Sequence, residues 1–115
     1  MLLHGWSYDI HNFVEVAPVL VAEGYRVIVP NLRGYGTTHF LSSDTLCNGQ
    51  QSVVAFDIIA LLDVLKSERA ILADFDWGAR TADIIAAIFP ERCWPSDRRT
   101  RAWRVFRCVK LDGRD

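Results

Sequence analysis

An α/β fold, with helices on both faces of a small parallel sheet in three layers, is what this sequence predicts. Three observations predict it. First, short apolar runs alternate with stretches of helical periodicity. The runs are Met1-Leu2-Leu3, Arg26 to Pro30 and Ala70 to Ala73, and the helical stretches are Phe13 to Ala22, Gln50 to Lys66 and Trp77 to Phe89. Strands alternating with helices imply parallel strands joined by right-handed crossovers. Second, the runs are apolar throughout, as expected of strands covered on both faces. Third, the segments least suited to a core, His4-Gly5, Arg33 to Gly36 and Asp74 to Gly78, each follow a strand. They therefore gather at the carboxyl edge of the sheet, where open α/β sheets bind ligands.

Each element has a local reason. Asn12 offers a helix N-cap with Glu15 three residues on, the spacing of a capping box. Phe13, Val16, Val19 and Leu20 then form an apolar face, with Pro18 early in the helix and Gly24 as its stop. Val27-Ile28-Val29 is a β-branched run closed by Pro30. Leu32 to Thr38 is a glycine-punctuated turn, in which Arg33 is expected to tie loops together through charge-assisted bonds. In the second helix Val54, Ile58, Leu61, Leu62 and Leu65 recur at three and four, and Asp57 and Asp63 fall off that face. Pro90 ends the third helix.

Composition limits the function classes. A length of 115 residues allows one domain, and 50% apolar residues make the chain globular. A net charge of −1 leaves no electrostatic footprint for nucleic acid or an anionic membrane. The three cysteines, Cys47, Cys93 and Cys108, form no CxxC or Cys/His group, so free thiols and no metal or cofactor are expected. No apolar run approaches the roughly 20 residues of a membrane span. Met1 to Gly5 lacks a signal peptide's basic start, and a cytoplasmic location is expected. The charge is uneven. From Trp94 onward, Arg98, Arg99, Arg101, Arg104 and Arg107 crowd together without periodicity. The expected organisation is a core over residues 1–93 and an Arg-rich tail over 94–115, disordered or non-native, that resembles translation in a shifted frame.

The chemistry concentrates in Ile71-Leu72-Ala73-Asp74-Phe75-Asp76-Trp77-Gly78-Ala79-Arg80. An apolar run, a tight turn and an immediate helix make the layout of a nucleophile elbow, which lifts an attacking side chain clear of the sheet. Asp76 takes the nucleophile position and Gly78 the closing glycine; Asp74 replaces the opening glycine. The plainer reading of Asp76 is an N-cap of the helix it precedes.

Five stretches in order carry a family resemblance: Leu2-Leu3-His4-Gly5-Trp6, Gly24 to Pro30, Leu32-Arg33-Gly34-Tyr35-Gly36, Asp76-Trp77-Gly78 and Phe89-Pro90-Glu91-Arg92. Together they resemble the α/β-hydrolase superfamily, most of all its epoxide hydrolase and haloalkane dehalogenase branch. The resemblance covers residues 1 to about 93 and implies a partial α/β-hydrolase fold containing the central strands only. It implies that Asp76 attacks an sp3 carbon of a small-molecule epoxide, halide or ester, giving a covalent ester on the enzyme. It further implies that the backbone N–H groups of Trp6 and Trp77 form an oxyanion hole and that His4 braces the oxyanion loop. The family's water-activating His lies beyond the elbow, and its cap domain supplies acid tyrosines. This chain has no His after Asp76, so a truncated, catalytically incomplete form is expected. Ser7 stands where the family's Pro is usual, and Asp74 brings a carboxylate's bulk to a close-packed turn.

Two alternatives stay open. Asp74-Phe75-Asp76 also resembles the Asp-x-Asp of haloacid-dehalogenase-type phosphatases, with Asp74 as nucleophile and Mg²⁺ between the carboxylates. The other is a non-catalytic fragment or partner-dependent interaction module. Three strands leave both sheet edges open and invite self-association.

Overall fold

Two strands meet in parallel, β1 (Leu2–Leu3) and β2 (Ala73–Asp74), with Leu2 opposite Ala73 and Leu3 opposite Asp74. They belong to a computed structural model that describes residues 1–94; the expectation for the Arg-rich tail lies, but for Trp94, outside the described residues. The Met1 nitrogen donates to the Ile71 carbonyl at 2.5 Å, and Ala73 N donates to Met1 O at 2.9 Å. Residues 71 and 73 thus face β1, and by strand alternation Ala70 faces the other way. There it forms a parallel bridge with Cys93, with Ala70 N donating to Arg92 O at 2.9 Å.

On the far side of β1, the run from Arg26 to Pro30 does not form the expected strand ladder. Leu2 N donates to Ile28 O at 2.8 Å, and residues 26–30 are not in strand. The run is half-buried at the sheet edge, and Pro30 has no N–H to extend a ladder. The order across the sheet is therefore the 26–30 run, β1, β2 and Cys93, with the carboxyl ends of β1 and β2 side by side.

The pleat sends alternate side chains to opposite faces. Leu2 and Ala73 pack with Phe13, Ala17 and Leu20 on one face. Met1, Leu3 and Leu72 pack on the other against Val54, Ile58 and Leu62 of α2 and Ala82 and Ile85 of α3. With α1 (Val16–Ala22) on the first face, and α2 (Gln51–Val64) and α3 (Trp77–Ile88) on the second, the chain has the three layers its alternation predicts.

The first helix starts differently from the reading centred on Asn12. Asp9, not Asn12, supplies the cap: its side chain accepts from His11 N and opens a 3-10 turn at Ile10–Phe13. The α-helix begins only at Val16. Pro18 sits in its first turn, where an N–H has no helical acceptor to lose. Gly24, at φ +86°, closes α1 with Gly24 N on Val21 O at 2.9 Å and Tyr25 N on Leu20 O at 3.1 Å. The same closure ends α2 with Lys66 in the left-handed position, at φ +53°. Beyond α3, Arg92 fastens the chain back to the end of α2, through Asp63 at 2.7 Å and the Glu68 carbonyl at 2.9 Å.

Candidate active site

β2 stops at Asp74, and α3 starts at Trp77. Between them Asp76 holds φ 51° and ψ −115°, a conformation that costs a non-glycine residue about 1–3 kcal/mol. Two glycines let the surroundings hold it there. A Cβ on Gly78 would come within 2.4 Å of the Leu3 carbonyl oxygen, so α3 can start against β1 only with glycine at this place. A Cβ on Gly5 would lie 2.8 Å from the Asp76 Cβ and 2.9 Å from its Oδ2. Asp74, at the opening-glycine position, is a buried member of β2, opposite Leu3.

The Asp76 side chain is exposed and makes no cap hydrogen bond to α3. Its Oδ2 instead accepts the backbone N–H of Trp6 at 2.9 Å. The plainer reading, an N-cap, does not describe this carboxylate. Trp77 is the first residue of α3, and its N–H is one of the four that an α-helix leaves without an internal acceptor. Trp6 and Trp77 both line a cleft of about 360 Å³, along with Leu32, Tyr35 and Val54; Asp76 lies beside these two residues and not in the lining itself.

His4 is fully buried and joins two loops. Leu32 N donates to its Nε2 at 3.1 Å, so Nε2 carries no proton; Nδ1, 3.1 Å from the Gly5 carbonyl, is then the donor. The His4 ring meets Tyr35 edge-on, with centroids 4.7 Å apart.

Arg33 ties loops as its position suggested, and its partner is Asp57, which periodicity marked only as off the apolar face. The guanidinium meets both Asp57 oxygens at 2.5 Å and the Asn48 carbonyl at 3.0 Å. The Asp57 bonds hold the Arg33 pKa above its ordinary value. The clasp anchors the 31–38 turn to α2 and to the segment before it. Sequence reading also passed over Tyr35 as part of a turn. The available signal was an aromatic residue between two glycines, both of which hold positive φ.

The structure brings Asp76, Trp6, Trp77 and His4 to one rim, and among the described residues no free imidazole joins them there. His11 is exposed, with Nδ1 3.1 Å from Asp9. His39 is exposed and lines a separate cleft between the 37–45 segment and α2. Both ring nitrogens of His4 are engaged. Among the described residues no group of three or more His, Cys, Asp or Glu comes together to hold a metal.

Residues 1–93 match the family described as alpha/beta hydrolase fold. Epoxide hydrolase B of Mycobacterium tuberculosis is 31% identical over 93 residues, which are 81% of this chain and 26% of that protein. A Klebsiella pneumoniae crystal structure, described provisionally as an epoxide hydrolase, superposes with a TM-score of 0.78 at 62% identity, over 80% of this chain and 30% of that one. The crystal structure of epoxide hydrolase VrEH1 from Vigna radiata superposes with a TM-score of 0.71 at 27% identity, over 88% of this chain and 36% of that one. The chain thus spans about a quarter to a third of the length of these proteins.

Proposed function

The chain belongs to the α/β-hydrolase-fold family, and from that premise we propose that Asp76 is a carboxylate nucleophile acting on small epoxides or related halide or ester substrates. One carboxylate oxygen attacks a ring carbon, the carbon–oxygen bond of the epoxide breaks, and the freed alkoxide takes a proton from water. The product is an ester on Asp76 that carries the whole mass of the epoxide. The N–H groups of Trp6 and Trp77 suit the oxyanion formed when water later attacks that ester; losing one such donor costs about 10²–10³ in rate. His4 positions the Trp6 loop through Gly5 and Leu32. Among the described residues no imidazole lies free at this rim to activate water, so the alkylation step is the one to follow on this chain.

The observation that carries this reading is the Asp76 carboxylate, held at a positive-φ turn on the Trp6 N–H and not on its own helix. The test is incubation with styrene oxide followed by peptide mapping by mass spectrometry. A stable adduct is expected on Asp76 and none at that peptide in Asp76→Asn. Labelling that spreads over other exposed carboxylates and survives Asp76→Asn would overturn it.

A second reading concerns assembly. The 26–30 run bonds to β1 through Leu2 N and Ile28 O without forming a strand, and Val14, Val19 and Val21 around α1 are exposed. Such an edge and apolar surface favour self-association. Sedimentation velocity across a concentration series is expected to show oligomers; a monodisperse monomer at every concentration would refute it.

A further inference from the structure

We infer that Tyr35 decides which substrates reach Asp76, by dividing the cleft beside Trp6 and Trp77, the residues that flank that carboxylate, and by holding the loop that carries the Trp6 amide. Two cavities of about 360 and 350 Å³ lie side by side there. The first reaches Trp77; the second runs toward Phe40 and Cys47. Both are lined by Trp6, Arg33, Tyr35 and Gly49. Gly49 has no side chain, and the Arg33 guanidinium is turned onto Asp57 and Asn48. The rings shared by the two cavities are Tyr35 and Trp6, edge to face with centroids 6.4 Å apart.

Of these two rings Tyr35 is the fixed one. Its N–H donates to Leu32 O at 3.0 Å, its carbonyl accepts from Thr38 N at 2.9 Å, and its ring lies against buried His4. Trp6 is 67% exposed, and Ser7 after it holds a strained φ of 64°. The Trp6 loop thus leans on Tyr35 while its N–H serves Asp76. Cutting Tyr35 back would merge the two cavities and loosen that donor together. A two-ring substrate would then gain more from the merged space than a one-ring substrate.

The kinetic arm of the test rests on the Asp76 reading; the binding arm does not. The full chain is compared as wild type, Tyr35→Phe, Tyr35→Leu and Tyr35→Ala, using whichever truncation folds by circular dichroism. Asp76 labelling rates are measured with styrene oxide and with 2-(1-naphthyl)oxirane. The two-ring to one-ring rate ratio is expected to rise about tenfold in the truncated protein, the scale on which pocket size discriminates. Tyr35→Phe is expected to keep the wild-type ratio of the two rates, since the ring and not the hydroxyl forms the wall. An unchanged ratio, or Tyr35→Phe behaving like the truncation, would overturn the inference. If no protein is labelled at Asp76, the nucleophile reading has failed and the partition is judged by binding alone. Benzyl alcohol and 1-naphthalenemethanol are then titrated against the Trp6 and Trp77 indole N–H signals by NMR. A similar tenfold gain for the naphthyl probe over the benzyl probe in the truncation supports the partition, and equal change in both refutes it.

Discussion

The backbone N–H of Trp6 and the carboxylate of Asp76 meet at 2.9 Å although 70 residues of chain separate them. The contact joins the loop after β1 to the turn after β2. It exists because those strands are parallel neighbours in register, Leu3 beside Asp74, which brings both carboxyl ends to the same place. It also sets the side chain of Asp76 apart from a helix cap, since the carboxylate makes no hydrogen bond to α3.

The strain at Asp76 separates stability from chemistry. Asp76→Gly removes the positive-φ penalty, whereas Asp76→Asn keeps the side chain and its acceptor oxygen. Asp76→Gly is expected to be the more stable of the two by about 1 kcal/mol, with both losing epoxide labelling entirely. Urea denaturation and intact-protein mass spectrometry measure the two effects.

Gly78 is a test of how tightly α3 is seated on β1. Gly78→Ala puts a methyl group against the Leu3 carbonyl, which is backbone and cannot swing aside. The substitution is expected to destabilise the chain by roughly 2–3 kcal/mol despite alanine's higher helix propensity. A urea midpoint equal to or above wild type would show that β1 and α3 are not in contact there.

His4 carries two buried hydrogen bonds, one to each loop. His4→Phe fills similar space but leaves the Leu32 N–H and the Gly5 carbonyl without that partner. A loss of about 2–4 kcal/mol is expected from two such groups, together with slower labelling of Asp76 as the Trp6 loop loosens. Denaturation midpoints and labelling time courses provide both numbers.

Arg33 and Asp57 lock the 31–38 turn to α2 through a forked pair. Lysine cannot reproduce the fork. Arg33→Lys is expected to cost about 0.5–1 kcal/mol, a value kept low because the Asp57 side chain is 41% exposed. Its sharper signature is local: amide exchange should quicken from Leu32 to Thr38 and at Asn48, while the protection of α3 stays unchanged.

How much was legible beforehand follows from the range of each interaction. Helices α2 and α3 were readable to within two residues, because their apolar spacing and stops are local signals. The start of α1 was misread, since Asp9 and Asn12 are both good caps and only the packing of buried Phe13 decides where the chain turns. The 26–30 run was read as a full strand, for β-branched residues state a preference but not the number of partners at an edge. At the site, the motif marked Asp76, Trp77, Trp6 and His4 as candidates. The pairing of Arg33 with Asp57 and the place of Tyr35 between two cavities left no periodic trace.

What the sequence determined alone was therefore the order of strands and helices, the family, and the turn at which a carboxylate would stand, all of them written in short-range spacing. What only the tertiary structure decided was the use of that carboxylate. Asp76 could cap α3 or accept the Trp6 amide, and the choice is made by the absence of side chains at Gly5 and Gly78, which lets the end of β1 come close enough to place the Trp6 donor on it.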